Sequence, residues 1–223
     1  YKVDQLFVNQ MINASALDNG LHAGDLKFVD LDGNNKIEQT TSANDRKDMK
    51  VIGNSLPRYN YNFGISADWY GIDFSVLFQG IGKQNWYPGA ETSMFWGPYS
   101  RPYASFIPSD FMSQVWSEEN TNAYFPRPRG YVALGSNREL AVVNTKYLQN
   151  LAYCRLKNLS IGYTLPDKWL SKIGFEKIRV YFSGENLLTF TKLHSDYIDP
   201  EQASASNSWK TSKSDANIYP WAK

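Results

Sequence analysis

Residues 153–190, YCRLKNLSIGYTLPDKWLSKIGFEKIRVYFSGENLLTF, contain two segments in which apolar and polar side chains alternate. The apolar positions are Leu159, Ile161, Tyr163 and Leu165 in the first segment, and Ile178, Val180, Phe182, Leu188 and Phe190 in the second. A period of two is typical of β-strands that have one apolar and one polar face. The connector, residues 166–177, is compact and contains about one helical turn that Gly174 would close. We therefore predict two long antiparallel strands joined by a short turn.

Residues 61–79 show the same alternation on either side of Tyr70-Gly71, which predicts a hairpin. Folding about this dipeptide gives the apolar pairs Trp69–Ile72, Ala67–Phe74, Ile65–Val76 and Phe63–Phe78. The opposite face pairs Ser66 with Ser75, Asn62 with Gln79, and Asp68 with Asp73. Like charges directly opposite each other are unfavourable unless they are hydrated. The polar face is therefore expected to border water.

Composition limits the classes of function that are open to the chain. It has 223 residues, 42% of them hydrophobic, and a net charge of +1, so no electrostatic feature favours nucleic acid as a partner. Aromatic residues make up 15%, a proportion that suits ordinary β-structure, interfacial aromatic girdles or ligand-binding loops. Cys154 is the single cysteine, which excludes an internal disulfide. No signal peptide is visible at the N-terminus.

The sequence lacks the residue patterns that most enzymes need. Two histidines and one cysteine do not suggest a zinc cluster or a Cys-His dyad, and there is no phosphate-binding glycine loop or G-x-S-x-G motif. Neighbouring carboxylates such as Glu118-Glu119 are interpreted as solvated loop charges. We predict no enzyme activity, no catalytic residues and no organic cofactor.

An acidic segment at residues 30–41, DLDGNNKIEQTT, resembles a calcium-binding loop. Oxygen ligands would come from the side chains of Asp30, Asp32, Asn34 and Glu38 and from the backbone carbonyl of Lys36. The sixth position is Asn35 where glycine is usual, and the twelfth is Thr41 where glutamate is usual, so Asp45 or Asp48 would have to substitute. The alternative is an Asx-rich turn that holds no ion.

Residues 81–147 form a long connection that is rich in glycine, proline and aromatic residues. Long connections of this kind are usually functional loops. The candidates for stacking on a sugar or a peptide are Trp86, Tyr87, Trp96 and Tyr99. We expect Trp116, Tyr124 and Phe125, in the motif WSEENTNAYFPRPRGY, to pack the loop itself.

Four further motifs carry a resemblance to a known family. GDLKFVDLDGNNKI, VIGNSLPRYNYNFG, VWSEENTNAYFPRPRGY, and YCRLKNLSIGYTLP with KIRVYFSGENLLTFTK occur in this order across nearly the whole chain. Together they resemble the C-terminal portion of SusC/RagA-type TonB-dependent outer-membrane transporters. The resemblance implies a chain that begins mid-protein and stops before the closing strand of a barrel.

The resemblance implies an all-β fold, an antiparallel transmembrane β-barrel segment comprising the last strands of a large, 22-stranded barrel. The implied divisions are an external loop region with the calcium-like motif (1–60), a barrel hairpin (61–80) and a long aromatic external loop (81–147). A strand pair with a short periplasmic turn (148–190) and an external loop that leads to the final strand (191–223) follow. We expect residues 1–23 to be loop or a peripheral helix.

By resemblance, the whole protein would import oligosaccharides or peptides across the bacterial outer membrane. Its partners would be a SusD-like surface lipoprotein, TonB (through an N-terminal part outside this chain), the substrate and outer-membrane lipid. Arg155 and Lys157 conflict with this expectation, because they share the parity of Leu159 and would face lipid. A bulge near Lys157-Asn158, or a strand top above the bilayer, would resolve the conflict. The alternative fold is a soluble β-sandwich that binds carbohydrate, with the apolar faces as its core.

Overall fold

The computed structural model describes residues 22–40, 42–90, 92–100, 107–129, 133–135, 139–172 and 174–207. The helix or loop predicted for residues 1–23, the proposed position 12 of the acidic loop at Thr41, and the end of the C-terminal loop lie wholly or largely outside the described residues. These described residues divide into two compact units, one within residues 54–86 and 149–207 and the other within residues 22–53 and 87–148.

The first unit is built on a four-stranded antiparallel sheet. Its strands are β1 (Arg58–Trp69), β2 (Ile72–Lys83), β5 (Tyr153–Thr164) and β6 (Arg179–Thr191), in the order β1-β2-β5-β6. A separate two-stranded sheet joins β3 (Asn85–Trp86) to β4 (Gln149–Asn150). Helix α2 (Asp167–Leu170) lies in the turn between β5 and β6, and helix α3 (Pro200–Asn207) follows β6. The all-β, antiparallel prediction is confirmed.

The β1–β2 hairpin has the register that the alternation predicts. Each apolar pair forms as expected, from Trp69 opposite Ile72 to Phe63 opposite Phe78, and the rings of Phe63 and Phe78 stack with centroids 5.0 Å apart. The turn residues Tyr70 and Gly71 both have positive φ, 47° and 84°, as a tight two-residue turn between twisted strands requires. One-sided apolar patterning fixes register, because a slip by one residue would exchange the two faces.

The second unit contains helix α1 (Ser93–Trp96) and two short 3-10 turns, Gly97–Tyr99 and Phe111–Gln114. Its core consists of aromatic rings in edge-to-face and stacked contacts, contributed by Phe95, Trp96, Tyr99, Phe111, Phe125 and Tyr147. Aromatic packing supplies a core where regular secondary structure is sparse. No described helix in the chain is long and apolar enough to cross a membrane.

Candidate functional site

One face of the four-stranded sheet is a continuous apolar surface. Cross-strand registers place the apolar side chains of all four strands on this face, for example Phe74 beside Ile161 and Ile161 beside Phe182. Six large side chains on it are between 51% and 63% exposed: Phe63, Ile65, Val180, Phe182, Leu188 and Phe190. Apolar patches of this extent are rare on soluble monomers and mark contact surfaces for membrane or protein.

The opposite face of the sheet is polar. One row across it consists of four serines, one from each strand, at Ser66, Ser75, Ser160 and Ser183. Beside this row, the Arg179 guanidinium reaches across β5 to the Asp73 carboxylate, with Nε 2.9 Å from Oδ1 and Nη2 2.5 Å from Oδ2. This ion pair compensates the negative charge that the sequence places at Asp73 opposite Asp68.

The Asp73–Arg179 pair depends on a glycine in the strand between them. A Cβ atom at Gly162 would lie 2.5 Å from Asp73 Oδ1 and 2.6 Å from Arg179 Nη2. Both distances are shorter than van der Waals contact, so any larger side chain would displace one or both charged groups. Gly162 therefore allows a charge pair to span three strands.

A bulge in β5 resolves the conflict at Arg155 and Lys157. The register shifts between Leu77 and Phe78 on β2 and between Leu156 and Asn158 on β5, which leaves Lys157 as the extra residue. The shift moves Arg155 to the polar face, where its Nε donates to Thr189 Oγ1 at 2.9 Å. The bulge predicted near Lys157-Asn158 is thus confirmed.

Arg155 and Lys157 also hold the segment that follows β6. The Arg155 side chain is only 5% exposed, and it contacts Asp199 Oδ1 and Glu201 Oε2, each at 2.5 Å. Lys157 Nζ donates to both oxygens of Glu201, at 2.9 and 2.8 Å. This network fixes the start of α3 against β5. The sequence does not predict this network, since no periodicity links positions 44 to 46 residues apart.

The acidic loop is closed by a residue beyond the twelve-residue motif. The carboxylate oxygens of Asp30, Asp32 and Asp48 lie within 4.8 Å of one another. Asp48 accepts backbone N–H groups from Leu31 and Glu38, both at 2.7 Å, and so ties the two ends of this loop together. Asp45, the other substitute considered, instead pairs with Lys47 at 3.4 Å.

Hydrogen bonds inside the acidic loop order its remaining ligand candidates. Asn34 Nδ2 donates to Asp32 Oδ2 and to Glu38 Oε2, both at 3.1 Å, and Asn34 Oδ1 accepts the Lys36 N–H at 2.8 Å. Asn35 adopts the left-handed conformation with φ 60°, which replaces the usual glycine at the sixth position. The pKa of Asp30 lies below its ordinary value. Desolvation acts to raise it, but hydrogen bonds from backbone N–H groups, first those of Asn35 and Gly33, outweigh that effect.

The four aromatic residues predicted to bind ligand lie in the two units. Trp86 is buried in β3 of the sheet unit. Trp96 and Tyr99 are buried in the aromatic core of the second unit, and Tyr87 is half-buried there. Trp96 Nε1 donates to the Pro88 carbonyl at 3.1 Å, and Tyr87 Oη donates to the Leu140 carbonyl at 2.7 Å. These rings are engaged in packing, and their role as ligand contacts stays a prediction.

Burial raises the pKa of the phenol groups of Tyr87, Tyr99 and Tyr147 in the aromatic core. For Tyr99 and Tyr147, neighbouring negative groups add to this effect. The three side chains act as neutral hydrogen-bonding groups that fix the loop. Tyr147 Oη, for example, donates to the Tyr124 carbonyl at 3.2 Å. The expected packing role of Tyr124 agrees with its edge-to-face contacts with Phe125 and Tyr147.

Known proteins that are similar in sequence to this chain include TonB-dependent receptors of Formosa agariphila. TonB-dependent receptor P3 of Formosa agariphila is 35% identical over 176 residues, which are 78% of this chain and 15% of that receptor. The chain belongs to the TonB-dependent receptor family. Receptor P26 of the same organism is 27% identical over 192 residues, and receptor P39 is 26% identical over 206 residues. They cover 85% and 86% of this chain, and the chain covers 17% and 18% of them. No family model matches the chain.

Solved structures that this chain matches in part include those of the RagAB peptide importer. Its open-open state has a TM-score of 0.47 at 22% identity over 78% of this chain and 18% of that chain. A second structure, of the RagAB peptide transporter, has a TM-score of 0.45 at 23% identity over 70% of this chain and 16% of that chain. The chain thus spans less than a fifth of the length of the relatives it matches.

The family assignment confirms what the motifs of the sequence indicated. TonB-dependent receptors are outer-membrane proteins, and the four long strands of this chain are a segment of such a receptor's antiparallel barrel. The exposed apolar face and the serine-lined polar face are the two sides expected of a strand in a barrel wall. The candidate site of this chain is therefore the sheet with its two unlike faces.

Proposed function

We propose that this chain forms part of the wall and the external loops of an outer-membrane transporter. The observation that carries the proposal is the exposed apolar face of the sheet, which is in place for contact with lipid. Burying apolar surface in hydrocarbon is favourable by about 25 cal/mol per Å². A tilted barrel strand needs about 9–11 residues to cross a bilayer, and each of the four strands has 12 or 13.

The polar face supports the same proposal, because it would border the aqueous interior of the barrel. The serine row presents small hydroxyl groups there, and the Asp73–Arg179 pair would remain hydrated. Charged groups in a membrane protein almost always face the interior or a water-filled cavity. Such an interior is a passage for polar solutes.

The finer parts of the function are proposed on the family resemblance. The whole protein would import oligosaccharides or peptides, driven by TonB, with a SusD-like surface lipoprotein as its partner. We propose that this segment takes part in no catalytic step. The alternative of a soluble β-sandwich predicts that Phe63, Val180 and Phe182 lie in a core, and among the described residues these three are more than half exposed.

Two neighbouring positions on β6 test the proposal. Phe182→Arg places a cation on the apolar face, at a cost of about 2–4 kcal/mol near the middle of a bilayer. Ser183→Arg, its control, places the same side chain on the polar face. We expect Phe182→Arg to reduce the amount of folded receptor in the outer membrane, and with it the uptake of labelled oligosaccharides or peptides. Equal amounts of folded receptor for the two variants would contradict the proposal.

We further propose that the acidic loop binds calcium. The supporting observation is the position of Asp48, whose carboxylate lies with those of Asp30 and Asp32 at spacings that one ion with oxygen ligands at about 2.3–2.6 Å can bridge. Asn34, Glu38 and the Lys36 carbonyl would complete the ligand set. Calcium titration should show weaker binding for Asp30→Ala and Asp48→Ala than for the wild type. Asp45→Ala is the matched control, and equal affinity in all four proteins would exclude the site.

A further inference from the structure

The polar face of the sheet is open along part of its length and covered along the rest. The four serines of the row across it are exposed or half-buried. Tyr153 and Arg155 lie on the same face, because they pair with Ile81 and Gln79 of β2, which share the parity of Ser75. Each of the two is nevertheless only 4% exposed. The polar face is therefore covered where β5 begins.

The chain that follows β6 provides this cover. We call residues 192–203 the strap. Its carboxylates at Asp199 and Glu201 hold the guanidinium of Arg155, and Glu201 also accepts from the ammonium group of Lys157. The Arg155 guanidinium in turn lies over the Tyr153 ring, 5.7 Å from its centre. The strap thus lies against the polar side chains of β5.

The strap is fixed at both ends and packed in between. Near its start, the backbone N–H of His194 donates to Gln149 Oε1 of β4 at 3.1 Å. Leu193, Ile198 and Ala203 are buried, and α3, which begins in the strap, contacts β3. Buried apolar side chains and buried ion pairs together hold a segment in one position. The strap is therefore a built part of this unit.

The strap lies at the end of the sheet that is opposite its short turns. The Thr164 N–H donates to the Gly71 carbonyl at 2.7 Å, so the turns after β1 and after β5 lie at one end. β5 begins and β6 ends at the other end, which is external in the barrel arrangement proposed above. From Tyr153 to Lys157 the strand advances about 13 Å, at about 3.3 Å per residue. The strap reaches this far down the polar face.

The other side of the strap is polar. His194 and Asp196 are exposed on it. Because the polar face is proposed to border the aqueous interior of the barrel, these side chains would face water inside the passage. A layer of chain packed on a sheet is about 10 Å thick. The strap would therefore take about 10 Å from the width of the passage along this wall.

We propose that the strap narrows the external part of the passage and limits the size of the solutes that enter, and that Arg155 is the residue that positions it. The inference rests on the proposed transport function, since it requires the polar face to border the passage. Neutral side chains in place of the strap's two carboxylates would release it from Arg155 and Lys157. The sheet itself would stay intact, because its ladders do not include the strap.

The first test measures the cover itself and does not require transport. Gln79→Cys places a thiol beside Arg155, and Ser183→Cys places one on the open part of the same face, each in a Cys154→Ser background. Full-length protein, purified in detergent, is treated with iodoacetamide. We expect the thiol at position 79 to react about tenfold more slowly than the thiol at 183, because the strap must open to expose it.

The release variant combines Asp199→Asn with Glu201→Gln. It should accelerate the reaction at position 79 about tenfold and leave that at position 183 within about twofold. The matched control combines Asp167→Asn with Glu176→Gln, which removes two exposed carboxylates from the turn at the opposite end of the sheet. The control should change neither rate. If the release variant does not fold, Glu201→Gln alone gives the same comparison with a smaller acceleration.

The second test measures the size limit from outside. Intact cells that carry Ser183→Cys are treated with polyethylene glycol maleimides of increasing mass. We expect the release variant to admit polymers of larger mass to position 183 than the protein with an intact strap, and the control variant to keep the original limit.

Two outcomes would overturn the proposal. One is equal reaction of position 79 in the release and control variants, which would show that the carboxylates do not hold a cover there. The other is a size limit that release does not change, including no labelling of position 183 in any variant, since the strap would then not be what narrows the passage. The proposed transport function fails separately, if Phe182→Arg and Ser183→Arg give equal amounts of folded receptor, and the reaction at position 79 does not depend on that result.

Discussion

Glu201 is the acceptor on which the network around Arg155 depends. It accepts one hydrogen bond from Arg155 and two from Lys157, so two cations share its charge. Glu201→Gln keeps the shape of the side chain but makes it neutral. Hydrogen bonds to charged groups contribute about 1.5–3 kcal/mol and neutral ones about 1 kcal/mol. The loss is then about 1 kcal/mol for each cation, or about 2 kcal/mol for the start of α3.

Hydrogen exchange measures this local loss directly. A decrease of about 2 kcal/mol in the free energy of local opening raises the open population, and therefore the exchange rate, about 30-fold. The measurement is amide exchange of residues 193–203, followed by mass spectrometry on the purified protein. Exchange in β1 and β2 should not change, since neither strand contacts Glu201 in the network described.

Asp196→Asn is the comparison variant, because Asp196 is an exposed carboxylate on the same segment. We expect its exchange rates to remain within about twofold of the wild type, as for most surface substitutions. The reasoning would be refuted if Glu201→Gln left exchange of residues 193–203 unchanged, or if Asp196→Asn accelerated it equally.

Two further predictions concern the polar face and the aromatic core. Gly162→Ala should modestly lower the unfolding temperature of the detergent-solubilised protein, since the added methyl group displaces the Asp73–Arg179 pair. In an Asp73→Ser background Gly162→Ala should lower the unfolding temperature much less. Ser160→Ala, the control, should have little effect on it. Equal decreases of the unfolding temperature in both backgrounds would contradict this prediction. The second prediction follows from the raised phenol pKa values of the aromatic core. Their contribution to stability is complete below the unfolded tyrosine pKa of about 10 and is lost as the pH rises above it. Near-ultraviolet circular dichroism should therefore show the core loosening only above about pH 10, and a transition near neutral pH would count against it. The residues concerned are Tyr87, Tyr99 and Tyr147.

The sheet could be predicted from the sequence because its strands and its first turn are specified by residues that are close together in the chain. Alternation with a period of two specifies which side chains share a face, and the Tyr70-Gly71 turn then fixes the register of β1 against β2. The conflict in parity at Arg155 indicated a bulge for the same reason. A cation at a lipid-facing position is costly, and the bulge at Lys157 avoids this cost because it moves the Arg155 side chain to the polar face.

The contacts that position the loops could not be predicted in this way. Arg155 meets Asp199 and Glu201 only because the chain after β6 folds back, and no spacing rule relates residues so far apart. The need for glycine at position 162 is evident only in the structure, which places Asp73 and Arg179 on either side of it. The sequence alone does not show which charged residues and glycines come into contact in the fold.

Aromatic residues pose a similar difficulty. Trp96 and Tyr99 have the composition and setting of ligand-stacking residues, but the same side chains also build cores. The structure places them in a core, and only the tertiary packing of Phe95, Phe125 and Tyr147 around them distinguishes the two cases. For the acidic loop, the sequence offered Asp45 and Asp48 as substitutes for the twelfth position, and in the structure the carboxylate of Asp48 is the one that lies beside those of Asp30 and Asp32.

The central claim is that the apolar face of the sheet contacts lipid and the polar face contacts water. The most direct measurement uses Phe182→Cys and Ser183→Cys, each in a Cys154→Ser background, labelled with an environment-sensitive fluorophore in reconstituted full-length protein. Lipids brominated on their acyl chains should quench the label at position 182 strongly and the label at 183 weakly, and aqueous iodide should do the reverse. Equal quenching of the two positions by brominated lipid, or iodide access to both, would contradict the claim.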